Sequence, residues 1–159
     1  MRGHWVRLGE AWRELHAHQQ HPPAVEALLG ECVTAAVLLA ATLKFHGTLT
    51  LQLAGSGRLG LLVAQCTHDF RVRGVARFDP ARVADDFSVL AGAGQIAVTV
   101  EAERRSARYQ GIVPIDGGGL GACLEHYFAQ SEQLPTVVRL AAGDSTAGGL
   151  LVQRMPGGG

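Results

Sequence analysis

The chain has 159 residues and a mass of 16.8 kDa, which is the size of one ordinary domain able to bury a core. Apolar residues make up 47% and charged residues 18% of the chain, and this composition argues against intrinsic disorder. The 14 basic and 14 acidic residues cancel, so no overall charge attracts nucleic acid or an anionic membrane. The three separated cysteines form no C-x-x-C pair and predict buried free thiols in a reducing cytoplasm.

The N-terminal pattern predicts an amphipathic helix. Apolar residues recur there at steps of three and four, at Trp5, Leu8, Trp12 and Leu15. That spacing places one apolar stripe along a helix from about residue 5 to residue 18. We expect the helix to stop before Pro22, because proline has no N–H group and restricts the residue before it.

A second helix is predicted from about Pro23 to Lys44, with Pro23 in its first turn. The apolar run inside it starts at Ala27, is interrupted by Glu31 and ends at Leu43. This run is at the lower limit for crossing a bilayer. From residue 32 onward it is apolar on every side, and such a helix must be covered on more than one side. We therefore expect it at the centre of the domain rather than in a membrane.

After Phe45 the pattern changes to alternation with a period of two, which predicts strands. They are expected at about residues 48–53, 59–66, 70–78, 96–103, 108–115, 136–140 and 149–155. A short helical turn is expected near residues 87–90. A third helix should follow the glycines at 117–119, because apolar residues then recur at helical spacing, at Leu120, Cys123, Leu124, Tyr127 and Phe128. The predicted fold is α+β, with mainly antiparallel sheets of about seven strands packed with three main helices, the second (about 23–44) largely buried.

Several local motifs lack the context that their chemistry needs. Residues 55–60 match G-x-G-x-x-G, but a strand is predicted where a dinucleotide site needs a helix, so a hairpin turn explains them better. No Lys-Ser or Lys-Thr follows the glycines at 117–119, so no P-loop is predicted. The seven histidines lack partners at metal-ligand spacing, and we expect them to be solvated.

Two further hypotheses concern side-chain chemistry. Cys66 and His68 are two residues apart, and Cys123 and His126 are one helical turn apart, so a small cytoplasmic enzyme with a Cys–His pair is the alternative function. The apolar neighbours of both cysteines favour structural thiols. An anion- or RNA-binding strand face formed by Arg71, Arg73 and Arg77 is the third hypothesis, and a solvated face is the preferred interpretation.

Five segments of the chain carry a family resemblance. They are ATLKF at 41–45, RGVAR at 73–77, YQGIV at 109–113, the helix LEHYF at 124–128 with SEQLPT at 131–136, and AGG at 147–149 with Gln153 and Pro156. In this order they resemble the redox-regulated 33-kDa heat-shock chaperone (holdase) family of bacteria, and in particular its N-terminal core domain. The resemblance spans nearly the whole chain.

The resemblance implies an ATP-independent holdase that binds unfolding or oxidatively damaged proteins, prevents their aggregation and works in the cytoplasm as a homodimer. It implies a single chaperone core domain at residues 1–155 and the start of a linker at 156–159. Family members then carry a C-terminal segment that holds zinc through C-x-C and C-x-x-C. None of Cys32, Cys66 and Cys123 matches those cysteines, so we expect that segment, its zinc and its redox switch to be absent from this chain.

The surface that binds client proteins is assigned from the apolar pattern. Both faces of the strand at 59–66 are apolar, and we predict that its outward side, with Leu59, Leu61 and Val63, contacts clients. No catalytic, cofactor-binding or metal-binding residue is predicted, and neither nucleic acid nor a membrane is expected as a partner.

Overall fold

The computed structural model describes residues 1–17, 19, 21–57, 59–79, 86–102, 108–115 and 118–156. Within these ranges the chain forms eight strands, four α-helices and one π-helical turn. The strands are β1 Arg2–Leu8, β2 Gly47–Gly55, β3 Leu59–Thr67, β4 Val72–Phe78, β5 Gly94–Ala102, β6 Arg108–Pro114, β7 Thr136–Ala142 and β8 Ala147–Gln153. The helices are α1 Glu10–Ala17, α2 Pro23–Thr42, α3 Phe87–Ala91 and α4 Leu120–Tyr127, and the π-helical turn is Phe128–Glu132.

The strands form two antiparallel sheets. The larger sheet has the order β4-β3-β2-β5-β6 and the smaller one the order β1-β8-β7. In the centre of the larger sheet, Leu51 is in register with Ala64 on one side and with Val98 on the other. The predicted α+β class with antiparallel sheets is confirmed, and the predicted short helix corresponds to α3.

Helix α2 lies between the two sheets and forms the centre of the core. It contacts strands of both sheets, and 13 of its 20 residues are buried. Its length and hydropathy would suffice for a bilayer span, but here the sheets cover its apolar surface, as predicted. Gly30 lets α2 approach closely, since a Cβ at this position would lie 2.5 Å from the Cβ of Ala142 and 3.0 Å from the Trp12 ring.

The predicted first helix is wrong over its first part. Residues 2–8 form strand β1, paired with β8 from Arg2 opposite Gln153 to Leu8 opposite Ala147, and the helix begins only at Glu10. Trp5 therefore points away from the core and is 78% exposed, whereas Trp12 is fully buried. Pairing with a strand near the other end of the chain overrides the local helical spacing. Over the described part of the chain, the sheets consequently contain eight strands and not seven.

Five predicted features lie partly outside the described residues. These are the end of the first helix at residue 18, the middle of the glycine-rich hairpin at 58, the end of the strand at 103, the glycine turn at 117 and the linker start at 157–159. The hairpin prediction holds for its described part, because β2 and β3 pair directly on either side of it. Gly57 N there donates to Ala91 O at 3.1 Å, which fixes the hairpin against α3.

Candidate functional site

The outer face of the larger sheet carries a shallow hollow over β3 and β4. Its volume is about 420 Å³, and it is lined by apolar and polar side chains of both strands, namely Leu61, Val63, Gln65, Arg73, Val75 and Arg77, together with Gly74. Val63 and Val75 are directly opposite each other in the strand register. Val75 is 51% exposed. A continuous apolar strip therefore lies in the open between two arginines.

Leu59 does not belong to this surface, and its predicted outward orientation is wrong. It is fully buried and packs in the core. The register with β4 shifts between Leu59, which is opposite Phe78, and Leu61, which is opposite Arg77. The extra residue, Gly60, forms a β-bulge, and a bulge changes which side chains face outward. Leu61 and Val63 are half-buried on the outer side as expected, and client binding by them stays a prediction.

The smaller sheet has its own open apolar face, which the sequence patterns did not indicate. Trp5, Val137 and Leu150 are all exposed there. Trp5 is opposite Leu150 in the register, and Leu150 is opposite Arg139 of β7. A hollow of about 460 Å³ lies beside them. The sequence does not show this face, because the spacing of Trp5 fits the stripe of a helix, although Val6 and Leu8 also fit a period of two.

The first predicted Cys–His pair is not arranged for nucleophilic catalysis. Cys66 is fully buried, and its Sγ lies 3.4 Å from the Thr67 carbonyl oxygen that accepts its hydrogen bond. Burial, assisted by the Asp69 carboxylate, raises the pKa of the Cys66 thiol to about 11. His68 accepts a hydrogen bond from Gly47 N at 3.1 Å and stacks on His46 with ring centroids 3.7 Å apart. A thiol that stays protonated at neutral pH is a poor nucleophile.

In the second predicted pair, the cysteine and the histidine lie on different sides of helix α4. Cys123 lies in the buried face of α4, whereas His126 is exposed and forms a hydrogen bond with Gln130 Nε2 at 2.8 Å. Cys32 is also fully buried, and burial together with the neighbouring Glu31 carboxylate raises its pKa. Cys123 is thus buried in the core while His126 is exposed at the surface.

The predicted arginine face exists, but it is not a cluster of arginines alone. Arg73 and Arg77 are exposed on the outer side of β4 with Val75 between them. Arg71 precedes the strand, and its Nε lies 3.3 Å from Asp69 Oδ2. Among the described residues, no three His, Cys, Asp or Glu side chains lie close enough to hold a metal ion.

Comparison with known proteins places the chain in a family. The model of the family described as Hsp33 protein matches residues 1–159. The chain belongs to the Hsp33 family. This confirms the resemblance that the five segments carry.

Named Hsp33 relatives are similar over almost all of this chain. It is 43% identical over 159 residues to the 33 kDa chaperonin of Neisseria meningitidis serogroup B, covering 98% of this chain and 53% of that protein. The 33 kDa chaperonin of Ectopseudomonas mendocina is also 43% identical, over 158 residues, with the same coverage. The chain thus spans about half the length of these curated relatives.

The Hsp33 fold is supported by a solved structure. The crystal structure of the 33 kDa chaperonin from Thermotoga maritima superposes with a TM-score of 0.83 at 27% sequence identity. The match covers 95% of this chain and 56% of that one. The relatives are named chaperonins, and neither they nor the geometry of the cysteines supports the hypothesis of a Cys–His enzyme.

Proposed function

We propose that this chain is an ATP-independent holdase that binds unfolding proteins through its open sheet faces and so prevents their aggregation. The observation that carries the proposal is the apolar strip of Leu61, Val63 and Val75 on the outer face of the larger sheet. Covering such a strip with apolar side chains of a client gains roughly 25 cal/mol for each Å² removed from water, less the cost of ordering the client.

The architecture keeps this strip open, which is what a holdase needs. Alternate residues of β3 are anchored in the core, as Leu62 and Ala64 are fully buried, so the neighbouring Val63 cannot turn inward. Within the described ranges β4 pairs with no strand other than β3, although Gly74 O accepts a hydrogen bond from Gln19 Nε2 at 3.1 Å. An extended client segment can add to such an edge strand by hydrogen bonding, while its side chains meet Val75.

The remaining parts of the proposal follow the family. We take residues 1–155 as one chaperone core domain that works in the cytoplasm as a homodimer on unfolded or oxidatively damaged clients, without nucleic acid, membrane, cofactor or catalytic step. The family's zinc does not fit the residues of this chain. All three cysteines are buried and lie on separate elements, α2, β3 and α4. The activity proposed for residues 1–155 uses none of these three thiols.

Light scattering of a chemically denatured test protein, diluted into increasing amounts of this chain, tests the function. We expect suppression of aggregation that grows with concentration and does not respond to peroxide or zinc. The variant Val75→Ser should need about fivefold more protein for the same effect, since about 1 kcal/mol of apolar contact is lost.

Val89→Ser is the matched control for that experiment. Val89 is 44% exposed, close to the 51% of Val75, but it lies on α3 and not on the sheet face. It should suppress aggregation like the unchanged chain. Absence of suppression by the unchanged chain at molar excess would contradict the function, and equal losses in both variants would contradict the assigned surface.

A further inference from the structure

A third hollow lies between the two sheets, at the side where strand β1 faces the start of β4. Its volume is about 330 Å³, near the lower end of the range for small-molecule sites, roughly 300–1,000 Å³. The strands supply Val6, Leu8 and Val72, and α2 supplies Val37, Leu38 and Ala41. We call it the inter-sheet hollow. Its size suits one aromatic side chain together with a short stretch of backbone.

Two exposed aromatic rings border the inter-sheet hollow. Trp5 of β1 is 78% exposed and Phe70, just before β4, is 55% exposed, and both belong to its lining. Aromatic rings favour stacked or edge-to-face contact with another ring over contact with aliphatic groups of equal area. The pair of rings therefore selects an aromatic ligand.

Phe70 is held in its place against its own conformational preference. Its φ is +63°, a region that bulky residues rarely occupy and that glycine or asparagine would occupy without strain. The turn imposes this value, because Phe70 N donates to Thr67 O at 2.9 Å and Arg71 N donates to Thr67 Oγ1 at 2.9 Å. A strained aromatic residue at the rim of a hollow is the kind of outlier that points to function.

One polar side chain lines the otherwise apolar hollow. It is His4, whose Nε2 is buried and has no hydrogen-bond partner. The imidazole can rotate about χ2 without breaking any hydrogen bond of that nitrogen, because the nitrogen makes none. A phenol hydroxyl both donates and accepts, so it satisfies Nε2 in either tautomer. No charged side chain lines the hollow, which favours a neutral ligand.

We propose that the inter-sheet hollow binds the side chain of a tyrosine in an extended segment of an unfolded protein, with its ring between Trp5 and Phe70 and its hydroxyl on His4. The inference rests on the proposed holdase function and gives it a sequence preference. Within the described ranges β1 pairs only with β8, so its free edge can hydrogen-bond the backbone on either side of the tyrosine.

The probes for the experiment are p-cresol, which is the tyrosine side chain, and toluene, which lacks the hydroxyl. The chain has two tryptophans, so 5-fluorotryptophan labelling gives two ¹⁹F resonances, one from exposed Trp5 and one from buried Trp12. We expect p-cresol to shift the Trp5 resonance in a saturable way and to leave that of Trp12 in place. It should bind about three- to tenfold more tightly than toluene, as one hydrogen bond implies, and His4→Leu should remove this preference.

Two variants fill the hollow and one serves as a control. Ala41→Leu places a larger side chain on α2, and Ala11→Leu does so from an exposed position on α1, where the core is not strained. Both should weaken p-cresol binding at least tenfold. Ala54→Leu adds the same group at an exposed position on β2 outside the hollow and should bind as the unchanged chain does.

Three results would overturn the inference. In the first, p-cresol shifts neither ¹⁹F resonance, or it shifts the Trp5 resonance of Ala41→Leu and Ala11→Leu as much as that of the control Ala54→Leu. In the second, the Trp5 resonance moves with protein concentration alone and sedimentation shows a dimer, so that a second copy fills the hollow. In the third, Ala11→Leu loses p-cresol but suppresses aggregation of a tyrosine-containing test protein as before, and the holdase function then stands without this site. Failure of the unchanged chain to suppress aggregation is separate, since it refutes the function whatever p-cresol does.

Discussion

The inner and outer faces of the larger sheet differ although the same strands form both. On the inner face, Leu49, Leu51 and Leu53 of β2 are fully buried under α2. On the outer face, Val63 and Val75 remain accessible. Burial of the inner side chains fixes the orientation of the strands. Apolar side chains on the outer face therefore stay exposed to water and cannot turn inward. Stability and the proposed client binding thus belong to opposite faces, and the following variants test how far the core alone sets the stability.

The largest loss is expected on the inner face. Leu51→Ala in the central strand removes a fully buried side chain and leaves a cavity, so the free energy of unfolding should fall by about 3 kcal/mol. Urea denaturation followed by circular dichroism measures it. Gln52→Ala, one residue further on the exposed side, should stay within about 0.5 kcal/mol of the unchanged chain. Similar losses of stability at the two positions would contradict the proposed difference between the inner and outer faces.

Gly30→Ala is expected to cost about 2 kcal/mol despite the better helix propensity of alanine, because the core must move to admit the methyl group. Its Cβ would lie 2.5 Å from that of Ala142. The control is Gly3→Ala on β1, where the nearest atoms to a new Cβ are 3.8 Å away. Thermal unfolding of both variants gives the measurement, and a Gly30→Ala protein as stable as Gly3→Ala would show that the helix is free to shift.

The carboxyl group of Glu31 on α2 should make the stability of the fold depend on pH. Burial raises the pKa of its carboxyl to about 7, so the folded state holds the proton more tightly than the unfolded state. Stability should therefore fall as pH rises from the ordinary carboxyl value to about 7 and then stay level. Glu31→Gln has no carboxyl group to titrate. Between pH 5 and pH 8 its free energy of unfolding should therefore rise by about 1 kcal/mol relative to that of the unchanged chain. This value is reduced because water screens the partly exposed group.

The measurement for Glu31→Gln is urea denaturation across that pH range. Glu14→Gln, at an exposed position on α1, is the control and should follow the unchanged chain at every pH. A Glu31→Gln curve parallel to that of the unchanged chain would contradict the assignment.

The smallest effect is a gain at the exposed turn before β4, at the rim of the inter-sheet hollow. Phe70→Gly relieves the positive φ and should raise the free energy of unfolding by about 0.5–1 kcal/mol. Phe70→Ala removes the same ring but keeps the Cβ, so it should not show this gain. Calorimetry of the two variants separates relief of the backbone from loss of the ring. A lower free energy of unfolding in Phe70→Gly would mean that the aromatic ring itself stabilises the fold.

Much of this fold could be predicted because its signals are local. The alternation in β2 and β5 and the all-round apolar surface of α2 each lie within one segment, and the family segments add their order along the chain. Strand β1 was missed, since the spacing of Trp5 and Leu8 also fits a helix and the decision comes from β8, far along the sequence. Leu59 was placed on the wrong side because a single extra residue, Gly60, reverses the alternation.

The proposed binding surfaces were less predictable than the elements that carry them. Leu61 and Val63 could be identified from their own strand. The hollow beside Trp5 combines β1 with β7 and β8. The inter-sheet hollow combines β1 with α2 and the start of β4. No single segment of the sequence shows that these elements meet. The strain at Phe70 also has no local signal, because the residues Asp69-Phe70-Arg71 are compatible with an ordinary extended strand.

The pairing of β1 with β8 has a consequence for synthesis. Residues 2–8 leave the ribosome well before their partner at 147–153, so the smaller sheet can close only after β8 has been synthesised. Until then one side of α2 has no cover. A nascent copy thus passes through a state with the same exposed apolar groups that it is proposed to recognise in other proteins, and its own production makes it a substrate for chaperones already in the cell.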